Sequence, residues 1–215
     1  MKRERALKIT YVIIELLLLL GAKYAEIKSP GQWESILKYA AIVINALMAV
    51  FFFFKNHFKG NGLLIMGLLM TAVGDWFLTY KGDEEYYLWG IAAFCMVQLL
   101  YLFYIRPNRS SLFYTVGLYG AGLLALMIAK QLTLVTALGW LDIVLIITNT
   151  INSWRNSSIP LLFKTGITLF LGCDVSLMLS FITPVPFKSV AFWLVWVFYA
   201  PSQVLITLAA IQKSN

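Results

Sequence analysis

The chain has 215 residues, 60% hydrophobic and 13% charged, with a mean hydropathy of +0.80. A soluble domain of this size is about half apolar and a quarter charged, so one water-soluble core does not absorb the excess, and the composition reads as an integral membrane protein. The net charge of +7 sits in short segments between apolar runs, which fits a positive-inside bias better than a nucleic-acid surface.

Eight runs are long enough to cross the hydrocarbon as helices, which takes about 20 residues each: 6–25, 36–54, 63–80, 86–105, 112–129, 132–152, 160–183 and 189–212. The first contains Glu15, lacks a small-residue cleavage site and precedes seven more runs, so it reads as a retained helix rather than a signal peptide. The second opens near Lys38, holds Asn45 and ends in a lipid-facing FFFF stretch at 51–54. His57 follows in the polar stretch KNHFKGNG and reads as a solvated loop residue. The third contains Asp75 within TAVGDWFLTY, and the fourth contains Cys95, Gln98 and Tyr101. Gly117, Gly120 and Gly122 in the fifth are expected to permit close helix packing, and almost no loop separates it from the sixth, which holds Asp142 and Asn149. Cys173 and Asp174 lie in the seventh, and Tyr199, Pro201 and Gln203 in the eighth. No CxxC or comparable spacing is present, so neither a disulfide framework nor a metal site is expected. The expected fold is one all-α transmembrane domain over 1–215.

With the amino terminus inside, ten Lys and Arg flank the cytoplasmic ends, among them Arg3, Arg5, Arg106 and Arg155, against six on the other side. The excess places both termini in the cytoplasm. A charged Asp at a helix centre costs roughly 3 kcal/mol on insertion scales, so the polar groups within spans face a bundle interior. At about 1.5 Å per residue, Asp75 and Asp174 fall roughly 8 and 13 Å below the outer ends of their helices. By the same rise Asn45, Asp142, Tyr199 and Gln98 fall at roughly 13 to 18 Å, with Asn149 and Gln203 somewhat deeper. One shared pocket accounts for that slab. Interhelical hydrogen bonds account equally well for Asn45, Gln98, Asn149 and Gln203 taken singly, and Glu15 reads as structural.

The two halves of the chain also correspond. Gly74-Asp75-x-x-Leu78 matches Cys173-Asp174-x-x-Leu177, and Phe94-x-x-x-Gln98 matches Tyr199-x-x-x-Gln203. Lys38 and Asn45 share the seven-residue spacing of Asp142 and Asn149. Four spans per half make these parallel repeats about an axis along the membrane normal.

The ordered set Gly74-Asp75-x-x-Leu78, Gly90-x-x-x-Phe94-x-x-x-Gln98-x-x-Tyr101, Asp174-x-x-Leu177 and Tyr199-x-x-x-Gln203, with Lys38 at the head of the second helix, resembles the YhhN family of multi-spanning bacterial proteins and their animal relatives, the lysoplasmalogenases. Two positions depart: Gln98 stands where the family usually has His, and Cys173 precedes Asp174 where it usually has Ser. The resemblance implies hydrolysis of the vinyl ether bond of lysoplasmalogens, giving a fatty aldehyde and a glycerophospho-alcohol. Such hydrolysis begins with a proton delivered to an alkene carbon. Two carboxyl groups close together in a dry site do not both ionise, which lets one act as acid and the other as counter-charge. Asp75 and Asp174 are the expected catalytic pair. Lys38 is expected to meet the phosphate, while Asn45, Gln98, Tyr101, Asp142, Asn149, Tyr199 and Gln203 line the substrate site. No metal or organic cofactor is required. The expected partners are an amphiphilic lysophospholipid and membrane lipids. The competing reading is a proton-linked carrier, whose architecture also uses parallel repeats around buried acids.

Overall fold

In the computed structural model the described residues are 2–28, 32–56, 61–79, 84–182 and 187–212; His57 lies outside them. They form eight α-helices: α1 (Lys2–Lys28), α2 (Gln32–Lys55), α3 (Gly62–Thr79), α4 (Glu84–Ile105), α5 (Arg109–Ile128), α6 (Leu134–Arg155), α7 (Leu161–Ile182) and α8 (Phe187–Ala210). Each expected run is a helix, with ends within four residues of those read from the apolar pattern.

Six of them, α2 and α4 to α8, are long and apolar enough to cross a membrane. The other two differ for physical reasons. α1 carries Lys8, Glu15 and Lys23 along its length, and the apolar part of α3 is the shorter stretch Gly62–Leu78. The outer surface is covered by large apolar side chains, with Phe113, Tyr114 and Ile128 about four-fifths exposed. Such a surface suits lipid, not water.

The helix junctions are encoded locally. Arg106 and Lys130 adopt left-handed backbone, at φ 54° and 56°, and turn the chain sharply after α4 and α5. Asn108 caps α5 by accepting from the Ser111 amide at 2.9 Å. Thr133 and Thr136 form a reciprocal capping box at the start of α6. The nearly absent loop between the fifth and sixth runs is thus a real turn.

Five helices, α3, α4, α6, α7 and α8, follow one another around a ring, each packed against the next, with α8 closing back onto α3. α2 lies in the angle between α3 and α8, α1 covers α2 and α8, and α5 rests on α6 alone. Aromatic side chains of α4 and α7 meet across the ring: Phe94 with Phe170 at 6.0 Å, and Tyr101 and Tyr104 with Phe163 at 5.4 and 5.0 Å. Contacts run antiparallel between α3 and α4 and between α7 and α8, and parallel between α4 and α6 and between α2 and α8.

The packing recurs between halves. A Cβ on Gly67 would meet the Tyr101 ring at 2.4 Å, and one on Gly166 would meet Ile206 at 2.8 Å; in the register of the sequence repeat these are equivalent pairs. Asn149 of α6 binds α4, and Asn45 of α2 binds α8, again equivalent. The glycines of α5 behave differently from expectation. Gly117 and Gly120 face open space, and only Gly122 admits a neighbour, the Trp140 indole, which donates to the Tyr119 carbonyl at 3.2 Å.

Gly166→Val should destabilise the protein by about 1–3 kcal/mol, because the added atoms meet both Ile206 and the Ser202 carbonyl. Gly117→Ala should be neutral or slightly stabilising. Thermal unfolding of both variants in detergent checks the contrast.

Candidate functional site: an acid cluster inside the helix ring

Asp75 is delivered by α3 where glycines on both helices bring it against α4. A Cβ on Gly74 would sit 3.0 Å from the Phe94 ring, and one on Gly90 would sit 2.6 Å from Leu78. The missing side chains let the two backbones approach and set the height of the carboxyl group. From α8, the Tyr199 hydroxyl donates a short hydrogen bond to Asp75 Oδ2. Tyr199 itself is buried and is held by Phe170 at 5.6 Å and Trp196 at 5.4 Å.

Asp174 enters from α7 and Asp142 from α6. These two carboxyl groups lie within electrostatic reach of each other. Asp174 Oδ2 and Asp142 Oδ1 are both buried without a protein hydrogen-bond partner, although each residue keeps some accessible surface. The buried Cys173 thiol sits within the field of all three aspartates. Tyr199 lies within the fields of Asp75 and Asp174. Three acids from three helices therefore lie about one thiol, and two of them about one phenol, beside Phe94 and Phe170.

The other expected site residues divide into two groups. Near the acids in the same ring, Asn149 Nδ2 donates to the Gln98 carbonyl at 2.8 Å and to Gln98 Oε1 at 3.1 Å. Gln98 Nε2, Asn149 Oδ1 and Gln203 Oε1 are buried without a protein partner. Tyr101 OH stands near the Thr71 hydroxyl without a hydrogen bond of acceptable geometry.

The remaining two are already engaged elsewhere. Asn45 accepts from Tyr11 and, at 3.1 Å, from Thr207, and donates to the Ala41 carbonyl at 2.8 Å; it ties α1, α2 and α8 together. Lys38 is paired with Glu34 and lies 3.6 Å from Glu26, with its ammonium 4.9 Å from the Trp196 ring centre.

Two further residues adjoin the acids, and both are missed by polarity alone. Cys173, expected only to pair with Gly74 in the repeat and to depart from the family's Ser, lies among the acids. Trp196 packs on Tyr199, and its three-residue spacing from it puts both on one helix face. Glu15, expected to be structural, is buried next to Asn45 with one oxygen lacking a protein partner, at one helical turn from Tyr11. No group of three or more His, Cys, Asp and Glu with metal-site geometry occurs among the described residues.

A sequence model of the YhhN family matches residues 33–210, most of the chain, and the protein belongs to that family. No curated protein and no solved structure matches it.

The Asn149 tie between α6 and α4 gives a direct test of how the ring is held. Asn149→Ala should lower stability by about 1 kcal/mol, in the range measured for interhelical hydrogen bonds in membranes, and should weaken the ring without preventing expression. Denaturation in detergent, read by tryptophan fluorescence, measures that loss.

Proposed function

We propose that this YhhN-family protein hydrolyses the vinyl ether bond of lysoplasmalogens by acid catalysis inside the helix ring. The observation that carries the reading is the convergence of Asp75 and Asp174 on Tyr199, with Asp142 within reach of Asp174. A proton passes to the alkene carbon, and the resulting oxocarbenium ion is conjugated through the ether oxygen. Water adds to that cation and gives up a proton. The hemiacetal then collapses to a fatty aldehyde and the glycerophospho-alcohol. The pair of electrons of the broken C–O bond leaves with the glycerol oxygen, which takes a proton.

The hydrogen-bond inventory supports different roles for the acids. A phenol donor suits a carboxylate acceptor, so Asp75 is assigned the negative charge that faces the developing cation. A proton shared by Asp142 and Asp174 gives a donor to two buried oxygens that otherwise have none, so that pair is assigned the acid. Gln98, Tyr101 and Gln203 have polar atoms free to orient water and the glycerol oxygens.

Asp75→Asn and Asp174→Asn should each reduce turnover at least a thousandfold, and Asp142→Asn by about a hundredfold, the scale of general acid catalysis. Tyr199→Phe should retain activity at about a tenth to a hundredth of the parent. Release of free aldehyde from a lysoplasmalogen by the purified protein in detergent measures all four. A carrier needs a membrane barrier and yields no aldehyde in that assay, so the same experiment separates the two readings. The carrier reading is favoured only by the recurrence of packing around buried acids.

The topology belongs to the same proposal: all eight helices cross the membrane of a bacterial cell, with both termini in the cytoplasm. A fluorescent-protein fusion at the carboxyl terminus should then fluoresce, whereas alkaline phosphatase at that position should stay inactive.

A further inference from the structure

One end of the bundle concentrates positive charge on four neighbouring helices. Arg106 follows α4, Arg109 opens α5, Arg155 closes α6 and Lys164 lies in the first turn of α7. Hydrogen bonds from α6 tie the first three ends together. Asn156 donates to the Ile105 carbonyl, beside Arg106, at 3.1 Å, and Asn152 donates to the Ser111 hydroxyl, two residues from Arg109, at 2.6 Å. Lys164 joins them from α7, with its ammonium 5.9 Å from the centre of the Trp154 ring. That indole is fixed by donating to the Thr168 hydroxyl at 2.9 Å. The three arginines are exposed, and among the described residues none of the four cations has a carboxylate partner. In the sequence, Glu4 is the one acidic residue at this end; it pairs with Lys8 on α1, which adjoins α2 and α8.

An orientation signal accounts for positive charge here but not for its form, since lysine and arginine serve it alike and need no fixed neighbours. The chain's arginines, Arg3, Arg5, Arg106, Arg109 and Arg155, all lie at this end, whereas lysines occur at both. Arg106 holds left-handed backbone at φ 54°, a conformation that glycine or asparagine adopts at less cost. Pro107 after it narrows its freedom further. An arginine is thus kept where the backbone favours another residue. Its guanidinium fork matches a phosphate with two parallel hydrogen bonds, which an ammonium does not. Asn108 takes the Ser111 amide with its side chain and the Leu112 amide with its carbonyl. The amides of Arg109 and Ser110, at the head of α5, are left for an anion.

We propose that these four helix ends bind the headgroup of an anionic diacyl phospholipid of the cytoplasmic leaflet. Arg106 and Arg109 take the phosphate from the turn between α4 and α5, and Arg155 and Lys164 supply the rest of the positive field. Phe113 lies one turn beyond Arg109, about 6 Å deeper at 1.5 Å per residue, and is about four-fifths exposed; Trp154, beside Arg155, is about half exposed. These aromatic side chains continue the charged surface into the apolar belt, where the glycerol and acyl chains begin, so the occupant is a lipid rather than a free phosphate. The negative surface of the cytoplasmic leaflet concentrates such lipids beside basic helix ends. Bound there, the lipid bridges α4, α5, α6 and α7 and gives α5, which rests on α6 alone, a second anchor.

The test reads neither turnover nor orientation, so its outcome stands apart from the hydrolase and topology readings. Native mass spectrometry of the purified protein in detergent counts retained lipid as phosphatidylglycerol or phosphatidylcholine of the same chains is added. The parent protein should bind phosphatidylglycerol at least tenfold more tightly, and inorganic phosphate at the same concentration should not displace it. Arg106→Gln combined with Arg109→Gln should weaken phosphatidylglycerol binding about ten- to a hundredfold, as expected for lost charge-assisted contacts, and leave phosphatidylcholine binding unchanged. Arg3→Gln combined with Arg5→Gln removes the same charge from α1 and should change binding less than about threefold, as for distant screened charges. Arg106→Gly relieves the left-handed backbone, so the lipid-free protein should melt at the same or a higher temperature while phosphatidylglycerol binding falls; a purely structural role lowers both together. If the Arg106 and Arg109 double variant fails to fold, Arg155→Gln at the end of α6 serves in its place. Equal affinity of the parent for both lipids, displacement by inorganic phosphate, equal losses from the two double variants, or loss of stability together with binding in Arg106→Gly overturns the proposal.

Discussion

The hydrogen bond from Tyr199 to Asp75 joins the last helix to the third and closes the ring. A lipid surface offers no water to satisfy a polar group, so a buried carboxyl gains from a donor on another helix, as Asp75 does from Tyr199. That constraint fits the contacts of α8 with four other helices and the burial of Tyr199, Ser202, Gln203 and Thr207 on it. Pro201 stands in the middle of this stretch and leaves the Val197 carbonyl without its helical donor, an interruption placed beside the acids.

The halves of the chain share a packing plan but not a chemistry. In the register that aligns Gly67 with Gly166 and Tyr101 with Ile206, Tyr199 corresponds to Phe94, and Lys38 to Asp142. Phe94 has no hydroxyl to offer Asp174, whereas Tyr199 offers one to Asp75. Asp174 has a second acid within reach, Asp142, where the other half carries a lysine already bound by glutamates. Two substitutions within a repeated frame are enough to give equivalent aspartates unlike surroundings. A hydrolase of the proposed kind needs that inequality, since two identical carboxyl groups have no reason to divide the roles of acid and counter-charge.

The elements were legible in the sequence because an apolar run about 20 residues long and a short turn-rich gap are local signals. Buried polar side chains were also legible, since an aspartate amid leucines stands out without any knowledge of neighbours. Partnership was not. Asp142 meeting Asp174, and Lys38 being neutralised from α1, depend on which helices adjoin, and α4 packs beside α6 while α5 is left at the edge. Asn45 and Asn149 show the limit of polarity as a guide: both are buried asparagines in equivalent positions, yet Asn45 has both its side-chain groups hydrogen-bonded and Asn149 retains a free oxygen. The three glycines of α5 make the same point, because only Gly122 has a neighbour close enough to need it.

The contact between Tyr199 and Asp75 spans 124 residues, which has a consequence in time. At a synthesis rate of about 5–20 residues per second, Asp75 is made roughly 6 to 25 seconds before its phenol. For that interval a carboxyl group committed to the third helix has no eighth helix to meet. Over that interval the neighbours available to α3 are α2 and α4, the two helices nearest to it in sequence that pack against it. A chain stopped short of α8 keeps the Asp75 carboxyl without its phenol and the ring of five helices open.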